Sequence, residues 1–420
     1  MSRPEREVDV LVVGAGPAGL AAAARLAAAG VARVEVLDRE QHAGGVPRHC
    51  HHGGFGTWTH PLTGPAYARL VLTAAVRAGA VVRTGITALD WAGPLALNTV
   101  GPQGPEAIHA AAVVLATGAR ERPRAARLVP GTRPNGVYTT GELQQAVHLY
   151  GQRIGTRAVV VGAEDVSYAA AETVRAAGAE VVAMVTELPI AQTAITRAHN
   201  ARLRHRIPLL TDTTVTELLG HGRLSGVRVR HRDGRNAQLA CDTVVFTGDF
   251  VPDHELARKG RLVLDPGTRG PAVDGALHTS RPGVFAAGSL LHPVESAATA
   301  TRDGVRAAAA VLESLAGAER PRHTVPLLVE SPLRWIVPNR VAPGDEHPYV
   351  LRASALLKRP VLQVGQDGRV LHQERLRAAV PNRTLALAAG WTRLVDVNGG
   401  PVRVVVGGRR SSDSWAGNLP

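Results

Sequence analysis

Val8-Asp9-Val10-Leu11-Val12-Val13-Gly14-Ala15-Gly16-Pro17-Ala18-Gly19 carries a mostly apolar run of strand length straight into a Gly-x-Gly-x-x-Gly turn. The alanine-rich stretch behind the turn, opened by Pro17 and Ala18, reads as a helix through Ala29. Val34-Glu35-Val36-Leu37 then reads as a second strand, ending on Asp38 and Arg39. Strand, helix, strand in that order predicts a parallel sheet with a right-handed crossover. Each glycine has its own role. Gly14 permits the tight turn, Gly16 lets the backbone approach a pyrophosphate, and Gly19 lets the helix pack close on the strand. Asp38 stands 19 positions after Gly19 (38 − 19), where an acid that binds a ribose belongs. Free N–H groups at the helix start suit a phosphate. The bland alternative is a ligand-free strand–turn–helix; strand, helix and acid in register speak against it.

Outward from this unit, the pattern repeats. Residues 158–161 read as a strand, Gly162 as a turn, a helix runs through Ala176, and residues 180–185 form the next strand. Between the two units, Val113-Val114-Leu115-Ala116-Thr117-Gly118-Ala119 is an apolar strand ending on Thr-Gly, and Thr243-Val244-Val245-Phe246-Thr247-Gly248-Asp249 is its counterpart. Gly283-Val284-Phe285-Ala286-Ala287-Gly288-Ser289 is a further strand and turn, followed by a helix over about 297–315. From about Thr324 the pattern changes to short strands at 335–337, 349–351, 361–364 and 402–406, separated by turn signals such as Asp367-Gly368. These predict a small antiparallel β domain.

Composition narrows the class. The 420 residues are 45% hydrophobic and 20% charged, a globular balance in a chain long enough for two or three domains. A net charge of +13 invites a nucleic-acid reading. Lys259 and Lys358 are the only lysines, so 46 of the 48 basic residues (48 − 2) are arginines, spread along the chain rather than along one face. No nucleic-acid partner is expected. Cys50 and Cys241 are the only cysteines, too few for a disulfide framework, a four-cysteine zinc site or an iron–sulfur cluster. No metal site is expected, and the cytoplasm is the expected location. The chain enters its first strand by Val8 without an apolar leader, and the stretch 20–29 is too short to span a membrane.

The Gly14 turn, the Gly44-Gly45 pair, the Ala116-Thr117-Gly118 strand end and the 283–289 segment together resemble the flavoproteins with two dinucleotide-binding domains. The resemblance covers about residues 8–320. It implies an α/β fold: an FAD-binding Rossmann-like domain (1–122 and 249–323), an inserted second Rossmann-like, NAD(P)-binding-like domain (123–248), and the C-terminal all-β domain (324–420). FAD is the implied cofactor, held by Gly14, Gly16, Pro17, Ala18, Gly19, Asp38, Arg39, Gly45, Ala116, Thr117, Gly118, Gly288 and Ser289. Ser289 departs from the family, many members of which have Asp there. Gly44-Gly45-Val46-Pro47-Arg48-His49-Cys50, with Gly53-Gly54-Phe55-Gly56 and Leu62-Thr63-Gly64-Pro65, resembles the branch of flavoprotein subunits of glycerol-3-phosphate, opine, sarcosine and hydrogen cyanide-forming dehydrogenases or oxidases.

The second turn departs further. Gly162-Ala163-Glu164-Asp165-Val166-Ser167 has Glu164 in place of the middle glycine, and two carboxylates where a pyrophosphate would approach. Glu187 holds the ribose-acid position, but tight NAD(P)H binding is not expected. Catalytic candidates are fewer. Cys50, flanked by His49, His51 and His52, reads either as an activated thiol or as a small buried residue in a glycine-rich loop. His49, His51 or His52 could face a substrate. His292 and Glu295 read either as an acid–base pair or as the start of a helix carrying a stabilising Glu295. The expected function is oxidation of a small amine, amino acid or hydroxy compound by hydride transfer to FAD. The electrons pass to oxygen or to a partner, and the chain forms a homo-oligomer or part of a heteromeric dehydrogenase. Two alternatives stand beside it: an NAD(P)H-dependent flavoprotein reductase, and a flavin-bearing or scaffold subunit of a larger assembly.

Overall fold

The computed structural model describes residues 4–293, 295–318 and 323–407; the ends of the expected first and C-terminal domains, 1–3 and 408–420, lie outside the described residues, as do 319–322. Contacts divide the chain into two compact units. One comprises Met1–Gly45, Leu70–Ala119 and Pro252–Pro420, the other Val46–Arg69 and Arg120–Val251.

The first unit is built on a seven-stranded sheet. Strand Glu5–Val13 is central, parallel on one side to Val34–Asp38 and on the other to Gly104–Leu115. Strand Val284–Ala286 adds in parallel to the end of Gly104–Leu115. The pairing sets four strand ends level: Val13 opposite Leu37 and Leu115, and Leu115 opposite Ala286. Every segment that follows these ends, at Gly14, Asp38, Ala116 and Ala287, therefore emerges on one edge of the sheet. Crevices at the carboxyl ends of parallel strands are where such folds bind ligands. Helix Pro17–Ala28 and the long helix Ala297–Leu315 pack against each other on this sheet, the first burying Leu20, Ala22, Ala23 and Leu26 completely.

The C-terminal strands group with the first unit. They form sheets of five, three and two strands, over a core that includes Tyr349, Leu351, Leu362, Trp391 and Val404. The expected all-antiparallel arrangement is corrected at one place: Val325–Val329 and Val402–Gly407 pair in parallel. A parallel pair needs a long crossover rather than a hairpin, and the strands between them in the chain supply it.

The second unit has a five-stranded parallel sheet, ordered Val137–Thr139, Thr243–Phe246, Arg157–Val161, Glu180–Val185, Leu209–Leu210. A three-stranded antiparallel sheet packs its apolar residues with those of the parallel strands. By contacts, residues 46–69 group with this unit. The 3-10 turn Val46–His49 packs on helix Thr140–His148, and Gly64 is pressed against the carbonyls of Pro47 and Cys50. Among the described residues, no helix is long and apolar enough to cross a membrane, and no group of three or more His, Cys, Asp or Glu is placed to hold a metal ion.

Candidate functional site

The turn at 14–19 is held from several sides. Gly14 N donates to Leu37 O at 2.7 Å, Ala116 N to Val13 O at 2.8 Å, and Gly44 N to Ala15 O at 2.8 Å. Asp38 fixes the loop as well as ending its strand: Oδ2 accepts from Ala15 N at 2.7 Å and Oδ1 from Glu40 N at 2.9 Å. At Gly14, with φ +109°, an added Cβ would stand 2.3 Å from Ala116 O, so the crossing of loop and strand end requires glycine there. At Gly19 it would stand 1.9 Å from Gly14 O, which lets helix and turn close together.

Gly16 is different. A Cβ there would meet nothing within 4 Å. Its backbone caps helix Pro17–Ala28, which has no side-chain cap and no acid in its first turn. A helix start without a side-chain cap, beside open space, offers its N–H groups to a phosphate. The residues present fit FAD: 14–19 for the pyrophosphate, Asp38 for the ribose. The remaining cofactor candidates fall around the same edge. Gly45 packs on Gly16, where a Cβ would come within 2.8 Å of the Gly16 Cα, and Gly288 packs likewise on Ala18. Thr117 Oγ1 donates to Asp253 O at 2.7 Å. Arg39 reaches Asp253, 3.1 Å away. Ser289 is half-buried in the short turn Gly288–Leu290.

The catalytic candidates separate into two groups. His292 is buried and its Nε2 lies 2.6 Å from Asp303 Oδ2, a partner that sequence reasoning did not find. Burial alone would lower its pKa; the bond to Asp303 and the carboxylates of Asp303 and Glu295 outweigh that and hold it above the ordinary value. Asp303 lies 11 residues on, across the start of a helix, so no local spacing announces it. Glu295 is not the helix's stabilising charge. Ser296 caps the helix by accepting from Thr299 N at 3.1 Å, while Glu295 pairs with Arg352 and accepts from Thr384 Oγ1 at 2.9 Å.

In the second unit, Cys50 is buried, with Sγ 3.3 Å from Gln144 Oε1. Burial, with the nearby Glu121 carboxylate, pushes its thiol up to about 12. The neighbouring imidazoles do not activate it. His51 stacks on His148, ring centroids 4.2 Å apart, and His52 Nδ1 bonds Gly53 O at 2.7 Å. His49 is itself buried; burial, then the charges of Arg48, His148 and His51, push it down to about 4, so it is neutral at pH 7. Cys50 is thus a protonated core thiol, and so is Cys241 beside strand Thr243–Phe246.

Parallel strands with a glycine cradle on their carboxyl edge, beside a second unit of like build, are the architecture of dinucleotide-binding α/β proteins. The pyridine nucleotide-disulphide oxidoreductase family model matches residues 8–304, and the chain belongs to that family of FAD-dependent oxidoreductases. The alpha subunit of sarcosine oxidase from Corynebacterium sp. (strain P-1) is 32% identical over 358 residues, covering 76% of this chain and 35% of that relative. The A subunit of opine oxidase from Agrobacterium tumefaciens (strain Ach5) is 34% identical over 235 residues, covering 53% and 44%. This chain therefore spans about a third of the first relative's length and under half of the second's. The crystal structure of T. acidophilum thioredoxin reductase shares the fold, with a TM-score of 0.64 at 24% identity over 74% of this chain and 99% of that one.

Proposed function

We propose that this chain binds FAD and oxidises a small amine, amino acid or hydroxy compound, with the electrons leaving to oxygen or to a partner protein. The observation that carries the reading is the open, uncapped glycine cradle at 14–19 beside Asp38. The names of the sarcosine and opine oxidase subunits support the substrate class and a place in a heteromeric assembly; a homo-oligomer is the other arrangement. When bound, FAD supplies the two-electron acceptor. Oxidising an amine to an imine, or an alcohol to a carbonyl, removes one hydrogen as hydride and one as a proton, so the chain must supply a base. Glu295 is held by Arg352, and Cys50 keeps its own proton. His292, in the same unit as the cradle and paired with Asp303, is the imidazole left to accept that proton. The reading places the chain in the cytoplasm, where two free thiols are at home.

The test is anaerobic reduction of the purified, flavin-loaded chain by a panel of N-alkyl amino acids, amines, hydroxy acids and thiols. At least one amine, amino acid or hydroxy compound is expected to bleach the flavin's visible absorbance. A panel in which thiols alone bleach it would overturn the assignment, as would one in which nothing does.

A further inference from the structure

The family pattern calls for a second dinucleotide in the second unit, and the residues there do not fit one. Strand Arg157–Val161 runs into the turn at Gly162 and helix Asp165–Ala176, as the first strand runs into its own helix. Here the anion position is filled from within. Glu164 is the N-cap residue of that helix and only 5% exposed. Its Oε2 accepts from Ala163 N at 3.0 Å, and its Oε1 lies 2.9 Å from the Thr247 hydroxyl. Thr247 Oγ1 is 2.6 Å from Ser167 Oγ, which accepts from the N–H of Glu164 at 3.2 Å. Backbone and hydroxyl groups at a strand-to-helix turn are those a phosphate oxygen would use, and here the Glu164 carboxylate sits against one of each, Ala163 N and the Thr247 hydroxyl.

Charge and cover complete the closure. The half-buried Arg127 donates to Thr247 O at 3.0 Å and to Gly248 O at 2.6 Å, and its guanidinium feels the Glu164 carboxylate. Residues 190–194 lie across the turn. Gln192 N donates to Ala163 O at 2.8 Å, Gln192 and Thr193 are buried, and the Thr193 hydroxyl bonds the Asp165 carboxylate. Asp165 thus points to the strap and not into the nest; one carboxylate closes the site, not two. The contrast with Gly16, open and uncapped, is complete.

We propose that the second Rossmann-like unit is self-occupied: the Glu164 carboxylate stands in for a dinucleotide phosphate, and the chain binds neither NADH nor NADPH. Equilibrium dialysis of the full, flavin-loaded chain against NADH and NADPH tests this. The wild-type chain is expected to retain neither, while Glu164→Gly gains saturable retention at least tenfold above wild type. Saturable binding by the wild-type chain overturns the proposal, as does a folded Glu164→Gly that binds no better. Where the glycine variant fails to fold, Glu164→Ser, which keeps a good capping residue, takes its place with the same expectations. Dialysis needs no substrate, so its outcome is separate from that of the flavin-reduction panel.

Discussion

At Gly14 a Cβ would collide with the Ala116 carbonyl, whereas at Gly16 it would meet nothing within 4 Å, so two glycines of one turn answer to different demands. A valine's Cβ at Gly16 meets no other part of the chain and enters the space a pyrophosphate needs. Gly16→Val is expected to lower unfolding free energy by only about 1 kcal/mol in the flavin-free state, the cost of a poorer N-cap, while flavin retained after gel filtration falls at least tenfold. Retention equal to wild type would remove the turn from the cofactor site. His49 gives a prediction in pH. Folded, its pKa is about 4 because it is buried beside other cationic groups; unfolded, it takes a proton near its ordinary value. The unfolded chain therefore binds more protons between these values, and stability present at pH 7 is lost as pH falls through that window, by on the order of 3 kcal/mol. Urea unfolding at pH 7 and at pH 4.5 measures the loss, and His49→Asn is expected to flatten it. The glycines and Asp38 were legible in sequence because their spacing is local. The state of Cys50 was not: its sulfur contact, Gln144, is 94 residues away, and the imidazoles beside it in sequence face other partners.

Elements meet where small residues allow it. Helix Ala297–Leu315 crosses helix Pro17–Ala28 at Gly304, where a Cβ would stand 2.0 Å from the carbonyl oxygen of Ala18. Gly304→Ala must push the helices apart, at a cost of about 1–3 kcal/mol, and shifts the first turn of Pro17–Ala28 with it. A lowered melting temperature together with weakened flavin retention is expected; a loss of stability with full retention would uncouple the helix contact from the cradle. The limits of both helices could be read from the sequence, since a proline or serine opens each and the apolar periodicity runs out where it ends. The partner of Val325–Val329 could not, because a parallel neighbour arrives only at Val402–Gly407 and no turn signal links the two.

At the scale of the molecule, the C-terminal sheets are part of the first unit rather than an appendage. Asn339 Oδ1 accepts from Val273 N at 2.7 Å, Asn339 N and Arg340 N donate to Val273 O, and Arg352 neutralises the Glu295 carboxylate. Truncation after residue 318 leaves Glu295 without that cation and bares apolar surface. Breaking one partner from such a buried pair costs about 3–5 kcal/mol, so the truncated chain is expected to be insoluble or flavin-free when expressed; a soluble, flavin-loaded product would show the sheets to be dispensable. The same unit sets a timetable for biosynthesis. Its ligand-binding edge needs Val13, Leu37, Leu115 and Ala286 level with one another, and Ala286 leaves the ribosome long after the first three. A nascent chain carries the glycine turn for most of translation without the strand that completes its surroundings. Flavin capture is therefore expected only after the strand ending at Ala286 has been made.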